Sequence, residues 1–280
     1  MNPSMFRPRK QGLLTVLTTA WAATWALAPA VTHAQTLGEE AVESQGLTGK
    51  TAPGQWDVVL GAALADVPRY PGADGSRIRL RPLFSISYGE FFLSPFGLGW
   101  NVIDVGGFRA GPLIGYEEGR PESVDPRLDG LGDISASITG GGFAAYRVGS
   151  LEMIVTVRQA LTNTASGLNG LAVLEEHIPL IPRRLLLAFG PEVGFGNSEH
   201  EQTFFGISPQ QSLQSGISIY TPRGGLQDAG VRASLTYITE SHWLIRGFGQ
   251  VSRLTGDAAD SPIVERRTQT LVGVGAAYQF

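Results

Sequence analysis

Gln269-Thr270-Leu271-Val272-Gly273-Val274-Gly275-Ala276-Ala277-Tyr278-Gln279-Phe280 is the most regular stretch of the sequence. Its even-numbered positions form an almost wholly apolar face, and its odd-numbered positions are small or polar. Because successive side chains of a β-strand point to opposite sides, this alternation predicts a strand with one face toward lipid and the other toward a polar interior.

A terminal Phe with Tyr two positions before it resembles the last strand of bacterial outer-membrane proteins. The resemblance implies that Tyr278 and Phe280 form the signal read by the barrel-assembly machinery.

The same two-residue period recurs from Gly54 onward. Between 77 and 87 it places Arg77, Arg79 and Arg81 on one side and the apolar residues on the other, whereas a helix would scatter the arginines around its circumference. Further alternating segments are 56–64, 108–116, 134–146, 151–157, 185–195 and 229–237. The pattern predicts an all-β fold: a transmembrane antiparallel β-barrel spanning residues 54–280.

Tight and long connections between these segments alternate, as expected for a barrel with short periplasmic turns and long outer loops. The alternation requires that 89–104 form two short strands broken at 94–96, which gives about twelve strands. We interpret 202–207 as a hairpin extension of the largest outer loop. Pro82, Pro112 and Pro191 lie inside strand patterns and predict bulges or kinks, because proline cannot donate to a β-ladder.

The N-terminus has the layout of a secretory signal peptide. Arg7, Arg9 and Lys10 precede an apolar run, and small residues at Thr32 and Ala34 suit cleavage after Ala34. We therefore predict a signal peptide at 1–34, a flexible periplasmic segment at 35–53 and an outer-membrane location in a Gram-negative cell. Removing 34 residues with three cations and no acids changes the formal net charge from −4 to −7.

This composition excludes several classes of function. A net negative charge argues against a nucleic-acid partner. The sequence contains no Cys, which excludes a disulfide framework and thiol chemistry. No stretch after residue 34 reaches the roughly 20 apolar residues that a membrane-spanning helix needs.

Several short motifs appear in an order that resembles one family. They are Tyr70-Pro71-Gly72-Ala73-Asp74, Gly111–Tyr116 followed by Gly119-Arg120, Leu128–Asp133, Phe204–Ser208 with Ser215-Gly216, Asp257–Ile263 and Ala277–Phe280. Together they resemble the MipA/OmpV family of outer-membrane proteins over essentially all of 54–280. The resemblance implies a barrel that acts as a scaffold for murein-remodelling enzymes, a lytic transglycosylase and a penicillin-binding protein. Other members are described as porin-like, and no compact binding motif carries over.

Charged residues on the inward side of the predicted strands are the candidate lumen-facing residues. They are Arg77, Arg79, Arg81, Arg109, Glu152, Arg158, Glu192 and Arg232. The ladder of three arginines is compatible with an anion-attracting constriction. It is also compatible with a plug in which the arginines pair with inward acids such as Asp57, Glu152 or Glu192, because charges in a low-dielectric interior need partners.

The sequence points to no enzyme, metal site or cofactor. His177, His200 and His242 lie in neither an HExxH motif nor a Gly-x-Ser-x-Gly elbow. Asp125, Asp129 and Asp133 lack the dense spacing of a calcium loop, so they are expected to cap a loop. The leading hypothesis is a non-enzymatic scaffold in contact with outer-membrane lipid and lipopolysaccharide. The alternatives are a small porin-like channel and, less favoured, an outer-membrane hydrolase.

Overall fold

The computed structural model describes residues 54–280, which contain thirteen β-strands. The predicted signal peptide and the segment 35–53 lie outside the described residues. The strands are β1 Trp56–Pro68, β2 Ser76–Tyr88, β3 Phe91–Ser94, β4 Gly97–Trp100, β5 Ile103–Val105, β6 Phe108–Glu117, β7 Ser137–Val148, β8 Leu151–Ala160, β9 Leu168–Ile181, β10 Leu185–Gly196, β11 Gly225–Ile238, β12 Trp243–Leu254 and β13 Thr268–Gln279.

The strands form one closed antiparallel barrel. All neighbours in sequence except β4 and β5 pair with each other, and β1 pairs with β13 from Val59↔Gln279 to Asp66↔Val272. The short strands β4 and β5 both pair with β6, so they share one position in the wall. The barrel therefore has twelve strand positions, which confirms the predicted fold. The prediction of two short strands within 89–104 is also confirmed, because β3 and β4 are joined by a turn at Pro95 and Phe96.

The predicted alternation of faces is present in the closing strand. Val272 and Val274 are more than half exposed, whereas Gln269 and Leu271 on the opposite face are buried. The exposed apolar residues continue around the wall, including Leu80 on β2 and Val231 on β11. A closed barrel satisfies all its backbone groups between strands, which allows such an apolar outer surface to face lipid. No helix of residues 54–280 is long and apolar enough to cross a membrane.

The two ends of the barrel have different connections. Turns of two to four residues lie at 89–90, 106–107, 149–150, 182–184 and 239–242, which we call the turn end. The opposite, long-loop end carries residues 69–75, 118–136, 161–167, 197–224 and 255–267. Three helices lie in these loops: α1 Ser198–Phe205, α2 Pro209–Ser215 and α3 Gly256–Ala259.

The interpretation of 202–207 as a hairpin extension is wrong. Residues 202–205 belong to α1, and only Ile207 pairs with Tyr220, through an isolated bridge. Asn197 caps this helix, because its side chain accepts a hydrogen bond from the backbone N–H of His200. The apolar pair Phe204 and Phe205 lacks the alternation of a strand, and both rings are buried on the helix.

The three strand prolines do not produce the expected bulges. Register shifts occur instead near Leu185 and near Gly194. Each proline lies where a ladder on one side is interrupted. Pro112 faces the break between β4 and β5, and Pro191 lies in a gap of the β9–β10 ladder. Pro82 pairs with Ala62 of β1, and the β2–β3 ladder stops at Ile86. Proline is tolerated at such positions because its missing N–H has no ladder bond to make.

Exposed aromatic residues surround the turn end. The Trp56 and Tyr88 ring centroids are 4.6 Å apart, and Tyr278 packs between Trp243 at 5.3 Å and Phe280 at 4.9 Å. Amphipathic rings at this level are typical of the girdle that marks a membrane interface.

Candidate functional site: the barrel interior and the loop cap

The eight charged residues that the sequence assigns to the lumen lie on the side of the wall opposite the exposed apolar residues. Seven of them are at most 8% exposed, and Arg77 is half-buried. The structure does not bring all eight together. It distributes them over separate groups at different heights of the barrel, and each group contains at least one polar residue that the sequence did not single out.

The arginine ladder of β2 pairs with Glu118. The Glu118 carboxylate lies 2.9 Å from Nη1 of Arg79 and 2.8 Å from Nη1 of Arg81. The acids suggested as examples of partners contact other residues: Glu152 pairs with Arg109 and Glu192 with Arg232. Asp57 lies opposite Ser87 at the turn end of β2 and accepts a hydrogen bond from Gln279, so it is remote from the arginines near the long-loop end.

A second group surrounds Glu152 near the turn end. Glu152 is 1% exposed and accepts from Arg109 at 3.2 Å and from Arg147 at 2.5 Å. His177 Nε2 lies 3.4 Å from the same carboxylate and 3.7 Å from Glu175. Strands β6 to β9 thus converge on one buried acid, and Arg147 and His177 were not predicted as members.

A third group joins β10, β11 and β12. Arg232 Nε donates to Glu192 Oε2 at 2.6 Å, and Gln250 donates to the other carboxylate oxygen. Asp228 is buried on the same strand as Arg232. Arg158, the remaining predicted residue, is buried on β8, where Asn169 lies opposite it on β9 and donates to the carboxylate of Glu117.

Apolar side chains form a cluster in another part of the interior, whereas the alternation of the strands predicts a polar interior. Phe92 and Phe143 pack edge to face with centroids 5.2 Å apart, and Phe96, Leu113 and Ile154 belong to the same buried cluster. Edge-to-face packing is a favoured aromatic arrangement and stabilises a dense core. This cluster and the ion pairs both lie on the inner side of the barrel wall.

The long loops pack together into a layer that we call the loop cap, formed by 69–75, 118–136, 197–224 and 255–267. Tyr70, Leu128, Ile207 and Ile263 are fully buried in one apolar cluster of this layer. The Tyr70 hydroxyl donates to the backbone oxygen of Ile263 at 2.9 Å, and burial raises the pKa of that hydroxyl. Four loops distant in sequence therefore share one hydrophobic core.

A second apolar cluster of the loop cap surrounds α1. Phe205 is 0% exposed and packs with Phe204, Leu254 and residues of α3. Arg120 donates to the backbone oxygen of Phe204 at 3.0 Å, and burial lowers its pKa to about 10.

Two titratable residues of α1 are buried beneath this layer. Burial lowers the pKa of His200 to about 4, and Nδ1 of its ring lies 2.9 Å from the backbone oxygen of Ser166. Burial raises the pKa of Glu201 to about 8, and the negative charges of Asp228 and Asp257 add to this shift. Both side chains are therefore largely neutral at pH 7, which makes their burial less costly.

The acidic residues of 118–136 serve the loop itself. Glu122 accepts from the backbone N–H groups of Gly130 and Gly132, and Asp133 accepts from the N–H of Glu122. Asp125 pairs with Arg69 at 3.2 Å. These contacts agree with the expectation of loop capping, and the described residues contain no group of His, Asp and Glu arranged to hold a metal ion.

Within residues 54–280, the contacts of the three histidines give no nucleophilic arrangement. His200 contacts the backbone oxygen of Ser166, not its hydroxyl, and its low pKa makes it a weak base. His177 contacts two carboxylates. His242 lies in the turn after β11, with its ring 6.4 Å from that of Tyr278.

Comparison with known proteins agrees with this architecture. The family model described as MltA-interacting protein MipA matches residues 60–280. The chain belongs to the MipA family. The MltA-interacting protein of Escherichia coli K12 is 28% identical over 85 residues, which cover 30% of this chain and 34% of that protein. The MipA-family chain thus matches about a third of that relative's length.

A longer match joins the chain to an outer-membrane protein. OmpV of Vibrio cholerae is 23% identical over 185 residues, covering 66% of this chain and 69% of OmpV. Among solved structures, Pseudomonas putida OprB aligns at 14% identity with a TM-score of 0.38, covering 69% of this chain and 50% of OprB. The family match and the antiparallel barrel of residues 54–280 together identify the MipA-family chain as an outer-membrane β-barrel protein.

Proposed function

We propose that this barrel is a non-enzymatic outer-membrane scaffold that docks a murein-remodelling enzyme at its turn end. The observation that carries the proposal is the set of buried contacts inside the barrel. Ion pairs around Glu118, Glu152 and Glu192 and the apolar cluster around Phe92 lie on the inner side of the wall, and the loops of the long-loop end pack into the loop cap. Such a barrel presents to the periplasm a surface that is anchored in the membrane. The name of the E. coli relative, MltA-interacting protein, supports an enzyme of this class as the partner.

The docking segment we propose is 36–52. It precedes β1, whose first residue lies at the turn end, and it contains Glu39, Glu40 and Glu43. The turns themselves are only two to four residues long and offer little area. Exposed basic residues such as Arg147 and Arg184 neighbour this end, so the surface has both charges. An acidic segment of this kind provides specificity through charge, at modest affinity.

Co-purification from cross-linked cells tests the proposal. We expect the full chain to capture a murein enzyme, and we expect deletion of 36–52 to weaken the capture while heat-modifiable barrel remains in the outer membrane. The matched variant E39Q/E40Q/E43Q keeps the length and removes only the charge. Full capture by the deletion variant would indicate that the enzyme contacts the turns. No capture by the full chain would reject the scaffold proposal.

A small porin-like channel is the second candidate, because buried charged residues line the interior at several heights. In that case the loop cap would have to open for conduction. Planar-bilayer recordings separate the candidates: the scaffold predicts no conductance above the empty bilayer, whereas a gated pore predicts discrete openings that increase when the Glu118 ion pairs are removed by Glu118→Gln.

A further inference from the structure

Strand β12 ends with an arginine on the outer, lipid-facing side of the wall. Arg253 lies two residues beyond Val251, whose exposed apolar side chain belongs to the outer surface. The flanking residues Ser252 and Leu254 are buried, whereas Arg253 is exposed. Because side chains of a strand alternate between its two faces, Arg253 continues the lipid-facing row of β12. It lies opposite Thr268 of β13, which is also exposed.

The height of Arg253 in the membrane follows from the length of its strand. Strand β12 has 12 residues, and a strand that spans the bilayer needs roughly 9–11. Trp243 at its first position belongs to the aromatic girdle at the turn end. An arginine that faces lipid costs about 2–4 kcal/mol at the bilayer midplane and about 0–1 kcal/mol near an interface. Arg253 therefore lies at the opposite interface, among the head groups of the outer leaflet.

A second arginine lies at the end of the same strand pair. Arg266 is exposed in the loop that leads into β13. Its backbone N–H donates to the backbone oxygen of Gly72 at 3.0 Å, and its backbone oxygen accepts from the side chain of Gln269 at 2.7 Å. Two hydrogen bonds thus fix the backbone from which this side chain projects. We call Arg253 and Arg266 the rim arginines.

The carboxylates of this corner are engaged with other groups. Asp260 pairs with Arg267 at 2.8 Å, and Glu265 accepts from the Tyr70 hydroxyl at 3.2 Å. No carboxylate oxygen of residues 54–280 lies within ion-pair distance of either rim arginine. Nη1 of Arg253 lies 3.5 Å from the Thr268 hydroxyl, which is a long contact for a hydrogen bond. The guanidinium groups are therefore available to an anion at the membrane surface.

The vertical order of groups on this wall indicates the kind of anion. The guanidinium fork matches the oxygens of a phosphate group, and the outward Thr268 hydroxyl is a further donor beside it. Directly below, toward the membrane centre, Val251, Val272 and Val274 present an apolar surface. A phosphorylated head group above acyl chains has the same order. In the outer leaflet of an outer membrane, the lipid with this chemistry is lipid A, the membrane anchor of lipopolysaccharide.

We propose that the rim arginines bind a phosphate group of lipid A. The guanidinium groups donate to the phosphate oxygens, the Thr268 hydroxyl donates a further hydrogen bond, and the acyl chains lie along the apolar wall below. The site faces the outer leaflet at the long-loop end. It is separate from the proposed docking surface at the turn end and does not depend on the scaffold proposal.

The test is binding of purified lipid A to the protein isolated from outer membranes, measured by native mass spectrometry in detergent micelles. We expect R253Q/R266Q to weaken binding about tenfold, because it removes the charged donors to the phosphate. The matched control R183Q/R184Q removes two exposed arginines at the turn end and should leave binding unchanged. If R253Q/R266Q gives no heat-modifiable barrel, Arg266→Gln alone replaces it, with an expected loss of about threefold.

Competition identifies the head group. Dephosphorylated lipid A keeps the acyl chains and should bind about tenfold more weakly, and phosphatidylglycerol should compete less well than lipid A. Three results would overturn the proposal. They are equal binding of lipid A by the wild type and the arginine variant, equal binding of dephosphorylated lipid A, and competition by phosphatidylglycerol or inorganic phosphate as strong as that by lipid A. The last result would assign the site to any phosphate group.

Discussion

The long-loop end and the turn end of this barrel are closed by different interactions. The loop cap buries Tyr70, Phe205 and Ile207 in apolar clusters that join loops far apart in sequence. The turn end has turns too short to fold over the barrel, and the interior beside it is occupied by the Glu152 group with Arg109 and Arg147. The long-loop end thus carries apolar clusters outside the barrel wall, whereas the turn end has a buried charge group inside it.

This difference indicates which end of the barrel tolerates amino-acid substitutions. Apolar burial is non-directional, so loops can exchange one apolar side chain for another of similar volume at modest cost. A buried ion pair has no such tolerance, because removing one member leaves the other charged and without compensation in a low-dielectric site. We therefore expect sequence variation to concentrate in the loop cap and chemical constraint to concentrate around Glu152.

The largest effect is expected at the turn end. Glu152→Ala should lower the free energy of unfolding by about 3–5 kcal/mol, because it removes the buried carboxylate that Arg109, Arg147 and His177 all contact. Reversible urea unfolding in micelles measures this loss. The control Arg184→Ala breaks an exposed pair with Glu240 and should cost less than about 1 kcal/mol. Equal losses of unfolding free energy in the two variants would mean that the buried charge group contributes no more to stability than an exposed ion pair.

A somewhat smaller and local effect is expected in the loop cap. Phe205→Ala should cost about 3 kcal/mol of cap stability, at the lower end for a buried Phe because loops can partly collapse into the cavity. Faster protease cleavage within 197–224 reports the opening. Leu213→Ala, at a residue that is 89% exposed, is the control and should change nothing. Loss of the whole barrel on Phe205→Ala would show that the cap and the barrel unfold as one unit.

The smallest effect is a pH dependence confined to the loop cap. The folded-state pKa of Glu201, about 8, lies above its ordinary value of 4.5, so its contribution falls as pH rises between these values. The folded-state pKa of His200, about 4, lies below 6.5, so its contribution rises with pH from about 4 to 6.5. The two contributions oppose each other up to pH 6.5, and above pH 6.5 the Glu201 contribution makes the cap less stable as pH rises.

Protease resistance of 197–224 at pH 6.5, 7.5 and 8.5 checks this dependence, after correction for the protease's own pH profile. The slope should be at most about 1.4 kcal/mol per pH unit. Glu201→Gln should remove the slope above pH 6.5, since an amide does not titrate. A slope that persists in Glu201→Gln would assign it to another group, and no slope in the wild type would contradict the burial of a neutral acid.

The sequence predicted the wall well and the ends poorly, for a physical reason. Strand facing follows from local alternation, so the burial of Gln269 against the exposure of Val272 is readable from neighbouring residues alone. Ion-pair partners are set by register between strands. Glu118 was therefore missed as the partner of Arg79. Its charge is visible in the sequence, but it lies 39 positions from Arg79 along the chain, so no local pattern links the two residues. The cap was missed because residues 202–207, which include the end of α1, were interpreted as a hairpin extension. Its apolar clusters also require loops to meet in space.

The seam between β1 and β13 sets the order in which this chain can fold. Gln279 donates to Asp57 across 222 positions, so closure joins the two most distant parts of the barrel. Non-local pairing of this kind slows folding, because chain entropy is lost before the contacts form. Until β13 has left the ribosome and crossed to its destination, β1 presents an unpaired edge to other chains. Any truncation before Thr268 should therefore yield an open, aggregation-prone sheet that depends on chaperones.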